Sequence, residues 1–137
     1  MKYLIDTNIL SELVKKKPDQ QVIQWFQKGL DSSLYLSALT LGELRKGIDL
    51  LPQSKRRQEL AHWLEKDLAD WFWKRILPID AVVAECWGAL LAKADRPLSA
   101  IDSLIAATAV YNGCTLVTRN TKDFKSFETL KLINPFE

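Results

Sequence analysis

The sequence has little of what soft-metal and redox sites are made from. It holds two cysteines and one histidine in 137 residues. Cys86 and Cys114 stand far apart, and neither belongs to a Cys-x-x-Cys pair. A zinc site or a Cys–His nucleophile has almost no material here. The cysteines read as reduced core residues, and His62, beside Trp63 in a charged stretch, as an ordinary helix residue. Long apolar runs are missing too, so no segment can cross a bilayer and no membrane partner is expected. The run Tyr3-Leu4-Ile5 is cut short by Asp6, which leaves no signal-peptide core and makes the cytoplasm the expected compartment. Internal repeats and Gly/Ser linkers are absent, which predicts one domain over residues 1–137. An excess of one charge is also lacking. The formal net charge is +2, too small to announce a nucleic-acid binder by bulk field.

What is present is a globular composition, 47% hydrophobic and 26% charged, enough for a real core. Tyr3-Leu4-Ile5 reads as a buried strand. Ile9, Leu10, Leu13 and Val14 then recur at helical spacing. Asp6 therefore stands at the C-terminal tip of a first strand, where a helix begins. Taken alone it is a good N-cap. Yet that edge of an open α/β sheet is also where ligands bind.

Further along, Lys17-Pro18-Asp19 breaks the chain. A second helix is predicted to about Lys28, stopped by Gly29. Ser33 to Leu36 reads as a second strand. Ser37 can cap a helix whose core stripe is Leu41, Leu44, Ile48 and Leu51, with Glu43 at the margin of the stripe, able to reach a cleft. A long helix is predicted from Pro52 to about Trp73, burying Leu60, Leu64, Leu68 and Trp71. Trp63, Phe72 and Trp73 exceed what one stripe can bury, which suggests a partner surface or a cap over the core edge. Ile76 to Ile79 reads as an edge strand, since Pro78 cannot serve a central one. The helix after Asp80 is apolar nearly all round and is expected to pack on several sides. A buried helix follows from Ser103 to Tyr111, closed by Asn112-Gly113. Cys114 to Val117 and Thr129 to Ile133 read as strands, separated by the polar turn Thr118 to Phe124. The alternation predicts an α/β domain with a mainly parallel sheet of four to five short strands, covered on both faces.

Four acids share one kind of place. Asp6 follows the first strand, Glu43 lies one turn into the helix after the second, Asp102 opens a buried helix, and Asp123 follows the Leu116-Val117 strand. Ser99 to Asp102, Thr40 to Glu43 and Asn120 to Asp123 each have capping-box spacing, so any one acid has a purely structural reading. Four at one edge do not. Two carboxylates 4 Å apart repel by about 4 kcal/mol at an effective dielectric of about 20. Such a cluster protonates, spreads, or holds a cation. With oxygen ligands alone, Mg²⁺ or Mn²⁺ fits best. Thr7, Asn8, Thr118 and Asn120 add groups that could orient the carboxylates. Arg45, Lys46, Lys55, Arg56 and Arg57 lie together, opposed only by Asp49, and Lys15-Lys16-Lys17 forms a second cluster. Singly these are solvated faces; beside an acidic pocket they become phosphate-positioning groups.

Asp6-Thr7-Asn8, Glu43 within Leu41 to Gly47, Asp102 within Asp102 to Ala109, and Thr118 to Phe124 together resemble the PIN domain, and in particular a VapC-type toxin of a prokaryotic toxin–antitoxin pair. The resemblance implies a three-layer α/β/α fold. It also implies a Mg²⁺- or Mn²⁺-dependent endoribonuclease that hydrolyses RNA phosphodiester bonds with metal-activated water. It maps the acidic set onto Asp6, Glu43, Asp102 and Asp123. Asp6 and Asp102 would be the main metal ligands, with Glu43 and Asp123 acting directly or through water. Thr7, Asn8, Thr118 and Asn120 would orient the site. Arg45, Lys46 and Arg119 are candidates for holding the RNA backbone. The implied partners are RNA, a cognate VapB-like antitoxin that silences the pocket, and a second copy in a homodimer. The tryptophan-bearing helix and the Leu39 to Leu51 helix are the expected antitoxin groove, with Trp63 and Trp73 as contacts.

Two rival classes fit less well, an aspartyl-phosphate phosphoacceptor or phosphatase and a non-cleaving PIN-like scaffold. A dehalogenase-like phosphatase wants a second Asp where Asn8 stands. A receiver domain wants an early acidic pair and a late lysine that Thr118-Arg119 does not supply. A non-cleaving scaffold would have lost a pocket acid, and none is lost.

Overall fold

A computed structural model describes all residues from Met1 to Glu137. Five short strands form one sheet in the order β3-β2-β1-β4-β5, all neighbours parallel. They are β1 (Lys2–Ile5), β2 (Leu34–Ser37), β3 (Ile76–Leu77), β4 (Cys114–Val117) and β5 (Leu132–Ile133). The helices are α1 (Thr7–Leu13), α2 (Gln20–Lys28), α3 (Ala38–Asp49), α4 (Lys55–His62), α5 (Ala69–Trp71), α6 (Ala81–Ala92), α7 (Ala100–Tyr111) and α8 (Thr121–Phe124). No helix is long and apolar enough to cross a membrane.

Alternation along β1 divides the core in two. Ile5 joins Ile9, Leu36, Leu44, Leu68 and Phe72 on one face. Leu4 joins Ile105, Ala106, Leu116 and Phe124 on the other. Helices cover both faces, as parallel strands require, and the three-layer α/β/α arrangement expected from the sequence is the one observed. β3 takes an edge, as Pro78 implies. Arg75 fastens that edge: its guanidinium donates to the carbonyls of Asp31, Leu34 and Trp71.

Most helix starts follow from their caps. Asp19, Ser37, Ser54 and Asp80 each accept a backbone N–H of the following turn, as capping residues do. Gly113, at φ +68°, turns the chain from α7 into β4, a conformation that favours glycine.

Gly29 stops α2 as expected, in extended backbone. Two expectations need correction. The long helix starts at Lys55, and a π-helical turn at Trp63–Leu68 separates α4 from α5. Ser54 caps it. Finally, α6 is not packed on several sides. Val83 is its one buried residue, while Val82 is 47% exposed. It packs chiefly against α7, with Leu90 reaching the second core cluster. Hydrophobicity tells what can be buried, not how many neighbours arrive to bury it.

Candidate active site

The strand order makes a topological switch between β1 and β4. From β1 the chain goes to β2 and β3 on one side, then returns to β4 and β5 on the other. The crevice beyond the C-terminal ends of such a strand pair is the usual ligand site of an open α/β sheet. Asp6 and Thr118 stand there, one residue past β1 and β4 respectively.

Asp6 is buried, 8% exposed, and fully engaged. One oxygen accepts the N–H of Thr7 at 2.8 Å, so the residue does cap α1. The other accepts the hydroxyl of fully buried Thr118 at 2.8 Å. The amide of Asn8 lies 3.4 Å from both that carboxylate oxygen and the Thr118 hydroxyl. Asn8 and Thr118 are fixed in turn. The Asn8 carbonyl accepts the N–H of Arg119, and Thr118 Oγ1 accepts the N–H of Asn120. Asn120 therefore acts here through its backbone. One hydrogen-bond network ties the β4–α8 turn to the first carboxylate.

Glu43 comes to the same place from α3. It is exposed, and its Oε1 accepts the Thr7 hydroxyl at 2.7 Å. Thr7 has one hydroxyl proton. With that proton given to Glu43, its lone pair faces the hydroxyl of buried Thr40, 3.2 Å away. Thr40 therefore supports Thr7 and is not the helix cap that its spacing from Glu43 suggests; Ser37 is the cap. A buried threonine one turn before the acid was the available signal. Ser99 does cap α7, accepting the N–H of Asp102 at 3.4 Å. Asn120 makes no side-chain cap.

The four acids feel one another. Burial raises the Asp6 carboxyl above its ordinary range against the lowering effect of Thr118 and Thr7, and Glu43 and Asp102 raise it further. Asp102 is raised by burial, then by Asp123 and Glu43. No basic side chain pairs with any of the four: every salt bridge uses Glu12, Asp49 or Glu65 instead. No three of the acids are gathered closely enough to form a ready-made coordination set, as expected of unneutralised like charges. An all-oxygen, uncompensated set of carboxylates fits a hard divalent cation.

The basic candidates divide. Arg45 is turned away to Glu65 at 2.7 Å and Asp49 at 3.3 Å. The guanidinium of Arg119 lies over the Phe136 ring, 4.4 Å from its centroid. Lys46 is exposed and shares with Glu43 a shelf lined by Leu39, Leu50 and Ile101. On the other side of α3 an apolar groove of about 240 Å³ runs from Thr7 and Glu43 past Leu44 and Ile48 to Leu60 and Trp63. The tryptophan-rich segment thus splits. Phe72 is core, Trp63 lines the groove, and Trp73, 71% exposed, lies outside it.

Comparison with known proteins identifies the family. The PIN domain family model matches residues 3–130. The chain is 37% identical to the VapC ribonuclease Y4jK of Sinorhizobium fredii, over 98% of this chain and 97% of that protein. It is 35% identical to the toxin FitB of Neisseria gonorrhoeae over 97% of each. The solved structure of FitAB bound to an IR36 DNA fragment superposes with a TM-score of 0.93 at 33% identity, covering 98% of this chain and 96% of that one. With sequence and fold in agreement, the chain belongs to the PIN domain family.

Proposed function

We propose that this protein is the toxin of a toxin–antitoxin pair and a divalent-metal-dependent endoribonuclease. The observation that carries the reading is the set of four carboxylates, unpaired by any base, at the sheet's switch point. Asp6 and Asp102 are the main holders of Mg²⁺ or Mn²⁺, and Glu43 and Asp123 complete the set. When bound, such an ion activates water and offsets charge on the phosphate. The chain's own residues do the rest. Thr118 and Asn8 hold Asp6 in one rotamer and keep it an acceptor. Thr7, backed by Thr40, holds Glu43 over the crevice. Burial of Asp6 excludes bulk water, so each remaining charge acts in a poorer dielectric.

The relatives support the substrate and the partner. Y4jK is a VapC ribonuclease, FitB is a toxin, and FitB is held with FitA in the solved complex. The antitoxin segment fits the groove between α1, α3 and α4, an apolar trough of the kind that takes one face of an amphipathic helix. Its polar end opens at Glu43, so a basic side chain on that segment would reach the acids. Trp63→Ala should weaken antitoxin binding by about tenfold or more, as loss of a buried aromatic anchor does. Trp73→Ala should leave it unchanged, and equal losses would place the groove elsewhere.

The central test uses antitoxin-free protein, bacterial RNA and Mg²⁺ or Mn²⁺, beside an EDTA control and Asp6→Asn, with new 5′ ends mapped. Discrete cleavage lost in both controls is the expected result. Cleavage that survives Asp6→Asn would refute the site. Silence from folded protein that binds the ion would favour a non-cleaving scaffold.

A further inference from the structure

Three depressions border the acids, and each carries basic residues. In the apolar groove both are already engaged. Lys15 pairs with Glu12 at 2.9 Å, and Arg56 donates to the carbonyl of Val14. On the shelf beside α3 the cation is Lys46. The third depression is a polar hollow of about 180 Å³ between the α6–α7 loop and α8. It is lined by Arg96, Ser99, Asp102, Asp123 and Phe127. Arg96 is exposed and shares this hollow with two carboxylates, yet it forms no ion pair with either and no hydrogen bond to any group. A guanidinium beside two acids that it does not neutralise is free to take another anion.

The charge balance of the site calls for such a group. Four carboxylates outweigh one divalent cation, so a polyanionic strand crossing the crevice meets residual negative charge on both sides of the reacting phosphate. Lys46 can offset it on the α3 side. On the α7–α8 side the hollow offers Arg96. Guanidinium suits the task, because its planar fork meets a phosphate through two hydrogen bonds and it sheds water more readily than an ammonium.

We infer that Arg96 and the hollow it lines form a phosphate subsite, which holds the RNA backbone one step from the acids, opposite Lys46. This rests on the ribonuclease reading and adds to it a direction: the strand crosses from the α3 shelf over the acids to the α6–α7 loop. Arg96 is then a positioning residue, outside the chemistry itself.

The test is RNA binding in Ca²⁺, followed by fluorescence anisotropy of labelled oligouridylate across a KCl series. Wild type, Arg96→Gln, Arg96→Lys and Lys28→Gln are compared, and Mn²⁺ affinity is measured on each by calorimetry. Lys28 is exposed and lines a cavity with Tyr3 and Leu34, at the opposite end of the strands, so it controls for net charge. Arg96→Gln should lose about tenfold in RNA affinity, the usual worth of a hydrogen bond to a charged group. Its salt slope should flatten by about 0.7, the value for one single-strand phosphate contact. Arg96→Lys should keep the slope and lose part of the affinity. Mn²⁺ affinity should not move. If Arg96→Gln instead tightens Mn²⁺ and leaves the RNA slope alone, Arg96 is a counter-ion of the acids and the subsite is refuted. RNA binding by wild type that Arg96→Gln leaves untouched refutes the subsite while sparing the ribonuclease reading. A wild type that binds no RNA overturns both.

Discussion

Asp6 and Glu12 are both buried carboxylates, 8% and 6% exposed, at the two ends of one short helix. Their surroundings are opposite. Glu12 has two donors of its own: Lys15 Nζ at 2.9 Å and the backbone N–H of Asp19, also at 2.9 Å. Those two bonds hold its carboxyl below the usual range. Asp6 has hydrogen bonds too, but burial outweighs them, and its charged neighbours are other acids. One carboxylate ties the α1–α2 turn together. The other lies where burial and like charges oppose its ionisation, which is how functional groups are commonly found. Burial alone does not separate the two; partnering does.

The strongest way to break this contrast is Asp6→Asn. The amide oxygen keeps the cap on Thr7 and the amide NH2 can donate to Thr118 Oγ1, so the fold should stand. RNA cleavage should fall by about a thousandfold or more, since an ion-holding carboxylate contributes several kcal/mol and each 1.36 kcal/mol is tenfold. Single-turnover cleavage of a mapped RNA site measures it. Glu12→Ala should cleave within about threefold of wild type at a temperature where both are folded, because Glu12 touches nothing in the acidic set. A comparable loss in both variants would erase the distinction.

Next in size is the response to the ion. Mn²⁺ at a hundred times its dissociation constant should stabilise wild type by about 2.7 kcal/mol. Glu12→Ala should gain the same amount and Asp6→Asn far less. Urea melts with and without EDTA read the difference directly. Smaller again is the structural cost of Glu12→Ala without metal, about 1 kcal/mol. The lost bond to the Asp19 N–H accounts for it, since Lys15 is 58% exposed and an ion pair with so exposed a partner adds little.

How much of this could be read beforehand depends on what kind of fact it is. Asp6, Glu43, Asp102 and Asp123 were legible as candidates because each follows a strand or lies in the first turns of a helix, and local pattern fixes that. The strands were legible as short apolar runs. Their order was not, so the switch between β1 and β4 that gathers the acids had to come from the structure. Thr40 was visible but given the wrong role, because capping-box spacing holds equally inside a helix whose cap lies three residues earlier, at Ser37. For Arg45 the sequence offers only Asp49 as a partner; Glu65, which also captures it, is twenty residues away. Arg96 carries no local signal of a site; only the fold brings its loop beside Asp102 and Asp123. Local chemistry is written in the sequence, and the identity of each charge's partner is set by tertiary contacts.

The finest test of the contrast is its sign with pH. Asp6 has a folded-state carboxyl raised above its unfolded value near 3.8, so between the two values the folded protein holds more protons than the unfolded one. Stability then falls as pH rises through that window. Glu12 runs the other way. Its carboxyl is lowered from 4.5, so its contribution is present above that value and is lost as pH falls through the folded one. In EDTA, Asp6→Asn should therefore be more stable than wild type at neutral pH, with an advantage that shrinks on acidification and vanishes below the unfolded value. Glu12→Ala should be less stable at neutral pH, with a deficit that closes at low pH. The two difference curves, measured by denaturant melts across the acid range, should have opposite signs and converge toward zero together. Curves of the same sign would mean that Asp6, like Glu12, is a satisfied structural carboxylate, and the acidic centre would lose its most buried member.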